Sequence, residues 1–287
     1  MKPMKIIDPH IHLFDLAQGD YYWLKPGNAP FWPDKAKIHR DFSETDLKLA
    51  NEFELAGFVH IEAGFDNQTP WREIAWLAST CALPFRSVAG VNIENFAHLR
   101  ENLARLESFD SVVGVRHILD EEAPRILSQS ESLDCLALLA ENKLHFELQM
   151  SFEDSQAVEI LVQSLRALPE LRVVINHAGF PPYAQARESL DWRVWQDNLA
   201  KAASFDRVAI KCSGFEMKER LYSKTWQLNV ISACVETFGI DRVMAASNFP
   251  LCELSMSYNQ YWQTIADLTL GQWQKLLFAN AQDFYQF

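Results

Sequence analysis

Short runs of apolar, often β-branched residues recur along the chain, separated by longer stretches whose apolar residues fall three and four apart. The short runs cover 5–11, 57–63, 85–91, 112–118, 144–150, 171–177, 206–212 and 242–247 and read as strands. Helical spacing marks 71–83, 95–108, 133–142 and 151–168. The stretch SETDLKLANEFELAG (43–57) also reads as a helix, with Ser43 as its N-cap and Gly57 as its stop. Eight strands alternating with helices predict an α/β fold, a (β/α)8 TIM barrel that takes up residues 1–287 as one domain. The longest irregular segment, 15–42, follows the first strand and is rich in aromatics, Pro and Gly. A loop of that length at that place predicts a lid, and Tyr22 and Trp23 within it are candidates to stack on a ligand.

Alternation along the strands sorts side chains by face. In LHFELQM (144–150), Leu144, Phe146, Leu148 and Met150 should face the helices, which turns His145, Glu147 and Gln149 into the barrel. The same rule puts Asp8, His10 and His12 on one face of strand one, His60 and Glu62 on one face of strand two, and His177 with Val173 and Ile175 on strand six. Active sites of such barrels sit at the C-terminal ends of the strands. His10, His12, Glu62, Arg116, His117, His177, Lys211, Ser213 and Asn248 all fall there, and it is their coincidence at one end that points to a site.

Composition narrows the chemistry. A net charge of −12 argues against nucleic acid and against an anionic membrane surface, since both demand clustered Lys and Arg. Five scattered cysteines, with no C-x-x-C pair, read as free thiols of a reducing compartment, and Cys212 and Cys252 as packing residues. No apolar run is long enough for a membrane span or a signal sequence, so the expectation is a cytoplasmic protein acting on a small molecule.

Several motifs, in order along the chain, resemble one family. IIDPHIHLFD with YYWL downstream resembles an opening H-x-H-x-F/W-D and Y-x-W-L; GVRHIL resembles G-V-R-H; INHAGFPP resembles D-H-x-G-K-P; IKCSGF resembles K-L-S-G; AASNFPLC resembles G-S-D-W-P-V-C; and LLFANAQDFYQF resembles a terminal N-A-x-x-F-Y. Together they resemble the amidohydrolase superfamily, and within it the amidohydrolase-2 group of sugar-lactonase-like hydrolases, over nearly the whole chain. The resemblance implies that a strand-eight carboxylate takes a proton from water, that the water attacks a carbonyl, and that imidazoles, in some members through a divalent metal, polarise that carbonyl while Arg holds the substrate. Carried onto this chain, it implies His177, Asn248 and His117 as catalytic residues. It implies Arg116 as a substrate-binding residue and His10 and His12 as donors to a zinc ion held weakly or not at all. Strand and lid positions add Trp23, Tyr22, Glu147 and Lys211 to the substrate-binding set and Glu62 to the donors.

The chain departs from the pattern at three positions. Asn248 stands where the family has the strand-eight Asp, Asn176 precedes His177 in place of Asp, and Phe180 replaces Lys. An amide accepts no proton at neutral pH. Three outcomes follow. Another residue, such as His177, Glu62 or Glu147, serves as base; the reaction needs only positioning and an acid; or hydrolysis is lost and binding kept. The first reading is therefore a lactone hydrolase acting on a carboxylate- or sugar-derived lactone. Its alternatives are a catalytically impaired barrel that binds a related ligand and a decarboxylase-type lyase of the same superfamily.

Overall fold

A computed structural model of the chain describes residues 2–183, 187–268 and 274–287. Eight parallel strands follow one another in chain order: β1 (Met4–Ile11), β2 (Phe53–Ile61), β3 (Phe85–Gly90), β4 (Val112–Ile118), β5 (His145–Gln149), β6 (Val173–Ile175), β7 (Val208–Cys212) and β8 (Val243–Ala245). The ring closes at its C-terminal edge. The Asn248 N–H donates to the His10 carbonyl at 2.9 Å, the His12 N–H to the Phe249 carbonyl at 2.6 Å, and Ile11 bridges Phe249. Helices α1 (Trp71–Thr80), α2 (Phe96–Leu106), α3 (Ala123–Leu127), α4 (Ser130–Glu141), α5 (Ser155–Ala167), α6 (Leu190–Ala203), α7 (Phe215–Lys218), α8 (Lys224–Phe238), α9 (Tyr258–Leu268) and α10 (Asn280–Tyr285) lie between and after the strands. Side-chain caps start several of them: Asn95 accepts from His98 N–H, Asp154 from Gln156 and Ala157 N–H, and Ser223 from Trp226 N–H.

The barrel interior is filled by Ile7, Val59, Ile61, Val88, Val174, Ala209 and Met244, and is stoppered from the N-terminal end by Ala281 and Tyr285 of α10. The larger apolar layer lies between strands and helices. Among the described residues no helix is long and apolar enough to cross a membrane. All five cysteines are free thiols.

Residues 43–57 do not form the expected helix. Ser43 caps as anticipated, since its Oγ accepts the Thr45 N–H and Asp46 accepts the Ser43 N–H, but the cap holds only one 3-10 turn, Glu44–Asp46. Beyond it the apolar residues recur every second position, as Leu47 and Leu49 and then Phe53 and Leu55, and strand periodicity prevails. Strand β2 therefore begins at Phe53 rather than at 57.

Three face assignments also change. In β6, Val174 faces the interior and Val173 and Ile175 face the helices, so His177 at the mouth does not share their face. Asp8 pairs with Phe58 and Ile11 with His60, so β1 carries one residue more than β2 across this interval. The bulge falls at Pro9, which has no N–H to give to a ladder. Ile7 and His10 consequently both face inward, while Asp8 turns away to accept from Ser247 N–H at 3.1 Å and Ser247 Oγ–H at 2.5 Å. In β2 the inward residues are Val59 and Ile61, so His60 faces outward, its Nε2 2.9 Å from Glu73 on α1. Strand β5 alternates as the sequence predicts.

The segment 15–42 is built as a compact loop. Phe14 and Phe42 pair antiparallel at its neck, and two 3-10 turns, Tyr22–Leu24 and Lys35–Lys37, shape it. Buried Lys35 is its hub, donating through Nζ to the carbonyls of Trp23 at 2.8 Å and Asn28 at 2.6 Å. The loop touches the end of β2 through Trp23 Nε1–H, which donates to the Ala63 carbonyl at 2.8 Å. It reaches the far side of the C-terminal face through the Asp34–Arg220 ion pair at 2.9 Å.

Candidate active site

Three imidazoles meet at the C-terminal mouth. The rings of His10 and His12 lie 5.0 Å apart and those of His10 and His177 4.7 Å apart, centroid to centroid. The bulge at Pro9 turns the β1 pair inward. His177 arrives differently. The strand β6 ends at Ile175, and His177 and Ala178 adopt left-handed backbone with φ of 53° and 51°. Phe180 and Asn248 share that conformation, at 55° and 61°. Four non-glycine residues in a sparsely populated region concentrate strain at this mouth. Gly214 must be glycine, because a Cβ there would come within 2.4 Å of His177 Nδ1.

Each imidazole has a distinct hydrogen-bonding state. His12 Nδ1 lies 2.8 Å from the Ile61 carbonyl, to which it can only donate; in the neutral ring this leaves Nε2 as an acceptor. His177 Nδ1 pairs with Ser213 Oγ at 3.0 Å. Buried His10 has no partner at either ring nitrogen. Burial, reinforced by the cations Lys211 and Arg116 and by the neighbouring rings, pushes the His10 pKa well below the usual imidazole range. Burial with Arg116 and Lys211 pushes His177 down to about 3. Both rings are neutral at physiological pH.

The cations near these rings are committed to carboxylates. Arg116 donates through Nε to Glu62 Oε1 at 2.8 Å, through a terminal nitrogen to the Glu62 carbonyl at 2.8 Å, and through the other to Gln149 at 3.1 Å. Below the rings, Lys211 Nζ meets Glu147 Oε2 at 2.5 Å and donates to the Pro9 carbonyl at 3.2 Å. The other Glu147 oxygen accepts from Tyr285 O–H at 2.7 Å and lies 3.2 Å from His145 Nε2. Burial pushes the Glu147 carboxyl up, but the Lys211 ammonium and His145 outweigh it and hold it at about 2. Burial takes Lys211 down to about 8 against the pull of Glu147.

Asn248 holds the most informative contact. Its Nδ2–H donates at 2.5 Å to Oε1 of Glu216, a fully buried carboxylate on the short helix α7 just past β7. Asn248 Oδ1 and Glu216 Oε2 are both buried and unpartnered, and so are both amide atoms of Asn176. Burial, only partly offset by the Asn248 hydrogen bond, pushes the Glu216 pKa up to about 7. A carboxyl from the neighbouring helix α7 thus lies directly against position 248. Sequence reasoning overlooks Glu216; its one signal is an acidic residue between Phe215 and Met217, in an apolar run at a strand's C-terminal end.

The structure brings together His10, His12, Glu62, Arg116, His177, Ser213 and Asn248, with Lys211 and Glu147 packed beneath them. It does not bring His117 to this cluster. His117 follows Arg116 on β4 and so faces the other way, where its Nδ1 accepts the Ile93 N–H at 3.5 Å. Trp23 packs over Gly64, beside the mouth. Tyr22 is 61% exposed, with its ring beside Lys25.

A zinc centre needs about four converging donors and charge compensation. Among the described residues no group of three or more His, Cys, Asp and Glu side chains is arranged to hold a metal. Glu62, the expected carboxylate donor, is held by Arg116, and position 248 offers an amide. Lys211 and Arg116 further disfavour a cation beside His10. As arranged, the residues do not fit a metal centre.

Comparison with known proteins agrees with this architecture. The family model described as amidohydrolase matches residues 7–287. The chain belongs to the amidohydrolase family. Among curated relatives, the uncharacterized protein y4mH of Sinorhizobium fredii is 27% identical, with the whole of both chains covered. An L-fucono-1,5-lactonase of Burkholderia ambifaria is 22% identical over 91% of this chain and 85% of its own. A crystal structure of an amidohydrolase from Burkholderia multivorans with bound zinc superposes with a TM-score of 0.79 at 20% identity, covering 98% of this chain and 99% of that one. The family match supports a hydrolase.

Proposed function

We propose that this amidohydrolase hydrolyses a small, uncharged lactone of the kind derived from a sugar acid, by attack of water on the ring carbonyl. The observation that carries the reading is His10: a neutral imidazole, fully buried at the mouth, with both ring nitrogens unpartnered. A buried polar group without a partner costs stability and is retained where a ligand supplies the partner. A neutral imidazole offers one N–H donor, and a donor aimed at a carbonyl oxygen stabilises the oxyanion that water attack produces. His12 Nε2 and the amide of Asn176 add acceptors and donors suited to hydroxyl groups. Arg116 and Lys211 are each neutralised by a carboxylate, which favours an uncharged substrate over a carboxylated one. The relatives named as lactonases support the same class. Loop 15–42 would cover the bound lactone, with Trp23 beside it.

The test is a panel of neutral and carboxylated five- and six-membered lactones, followed by acid release. The wild type should turn over neutral members preferentially, and His10→Asn should lower kcat by roughly 10²-fold or more, the usual cost of losing one oxyanion donor. Unchanged turnover in His10→Asn, or activity confined to carboxylated lactones, would contradict this reading.

A further inference from the structure

We propose that Glu216 is the proton acceptor for the attacking water, with Asn248 orienting that water, so that the two residues together do the work of a strand-eight carboxylate. The inference rests on the hydrolase reading above. The amide of Asn248 gives its N–H to Glu216 Oε1, which fixes the amide's orientation and leaves Oδ1 free. Glu216 Oε2 is likewise free and fully buried. Two unpartnered acceptors flanking one hydrogen bond suit a water that donates one O–H to each. The other bases weighed from the sequence are less available. Glu62 is tied to Arg116, Glu147 to Lys211 and Tyr285, and His177, its Nδ1 against Ser213, is held down at about 3 by burial and so is a weak proton acceptor. Among the described residues Glu216 is in no ion pair: Arg220 is paired with Asp34 and donates to the Glu216 backbone carbonyl, its pull on the carboxyl is outweighed by burial, and the raised pKa suits a base working near neutrality.

The step balances. The water oxygen bonds to the lactone carbonyl carbon while one water proton passes to Glu216 Oε2, and the carbonyl electron pair moves onto oxygen. Collapse of that intermediate breaks the bond from the acyl carbon to the ring oxygen, and the proton on Glu216 passes to the departing ring oxygen. The product is a hydroxy acid, which releases its own proton to solvent.

Three variants test this on the full chain: Glu216→Gln, Asn248→Asp, and the two combined. Glu216→Gln should lower kcat by about 10²–10⁴-fold and abolish the acidic limb of the pH profile, which in the wild type lies near pH 7. Asn248→Asp alone should move the acidic limb, because two touching carboxylates share a proton and titrate as a pair while one stays ionised as base; an unmoved limb would contradict the contact's role. The double variant returns one carboxylate to the pair and should recover most of the lost rate, with its acidic limb moved. Glu216→Gln with wild-type kcat overturns the inference. So does a slow Glu216→Gln that keeps the wild-type acidic limb, which would mark Glu216 as structural, and so does a double variant no faster than Glu216→Gln. A wild type inactive on every lactone removes the hydrolase reading itself and this inference with it; melting curves of all three variants separate loss of chemistry from loss of fold.

Discussion

At the scale of single residues, the site is an exercise in moving one charge. An Asn at the end of β8 removes a carboxylate, and a Glu one loop away puts a carboxylate against it. Keeping that group buried has a thermodynamic signature. The carboxyl of Glu216 sits at about 7 in the folded chain against an ordinary value of 4.5. The folded state therefore binds the proton more tightly than the unfolded state, and stability from this group is fully present below pH 4.5 and is lost as pH rises through 7. Glu216→Gln should raise stability by about 3 kcal/mol above pH 7 and leave it nearly unchanged below pH 4.5. Denaturant midpoints of both proteins across pH measure this; a variant equally or less stable at every pH would contradict the burial argument. The residues legible in the sequence were those whose chemistry is unusual on a strand end, His10, His12 and His177. Glu216 was not, because its role depends on a contact between two loops that no periodicity encodes. His117 was misplaced at the mouth because neighbouring residues on a strand face opposite ways and only Arg116 turns inward.

At the scale of elements, the strand ends decide which side chains meet. The alternation in β5 is legible because nothing interrupts it. The faces of β1 were not, because the bulge at Pro9 changes the phase between Asp8 and His10. The helix expected over 43–57 shows the same competition between periods, resolved in favour of β2. Beneath the imidazoles, β4, β5, β7 and α10 are joined by one buried network. Gly114 admits His145, since a Cβ there would come within 2.4 Å of the ring, and Glu147 joins Lys211 to Tyr285. Removing one partner leaves an uncompensated buried charge, at a cost of about 3–5 kcal/mol. Lys211→Met should lose stability on that scale, and adding Glu147→Gln should restore a substantial part of it. Urea unfolding of the single and double variants measures the difference; a double variant as unstable as Lys211→Met would show that the pair's charge is not what matters.

At the scale of the whole molecule, the barrel stoppers one end and opens its chemistry at the other. Tyr285 closes the N-terminal end, the loop 15–42 reaches across the C-terminal face from Ala63 to Arg220, and the unpartnered polar atoms of His10, Asn176, Glu216 and Asn248 lie at that second end. In the proposed reaction these atoms would hold the water and the carbonyl. The alternation of strands and helices made the barrel legible from sequence, whereas the pairing of each cation with a carboxylate, which bears on the charge of the substrate, emerges only from the folded chain. The most direct measurement is hydrolysis of a neutral lactone in heavy-oxygen water, with the product weighed by mass spectrometry. Attack of water on the carbonyl predicts a hydroxy acid carrying one heavy oxygen in its carboxylate and no release of carbon dioxide. A product lacking the label, or one that has lost carbon dioxide, would contradict the account.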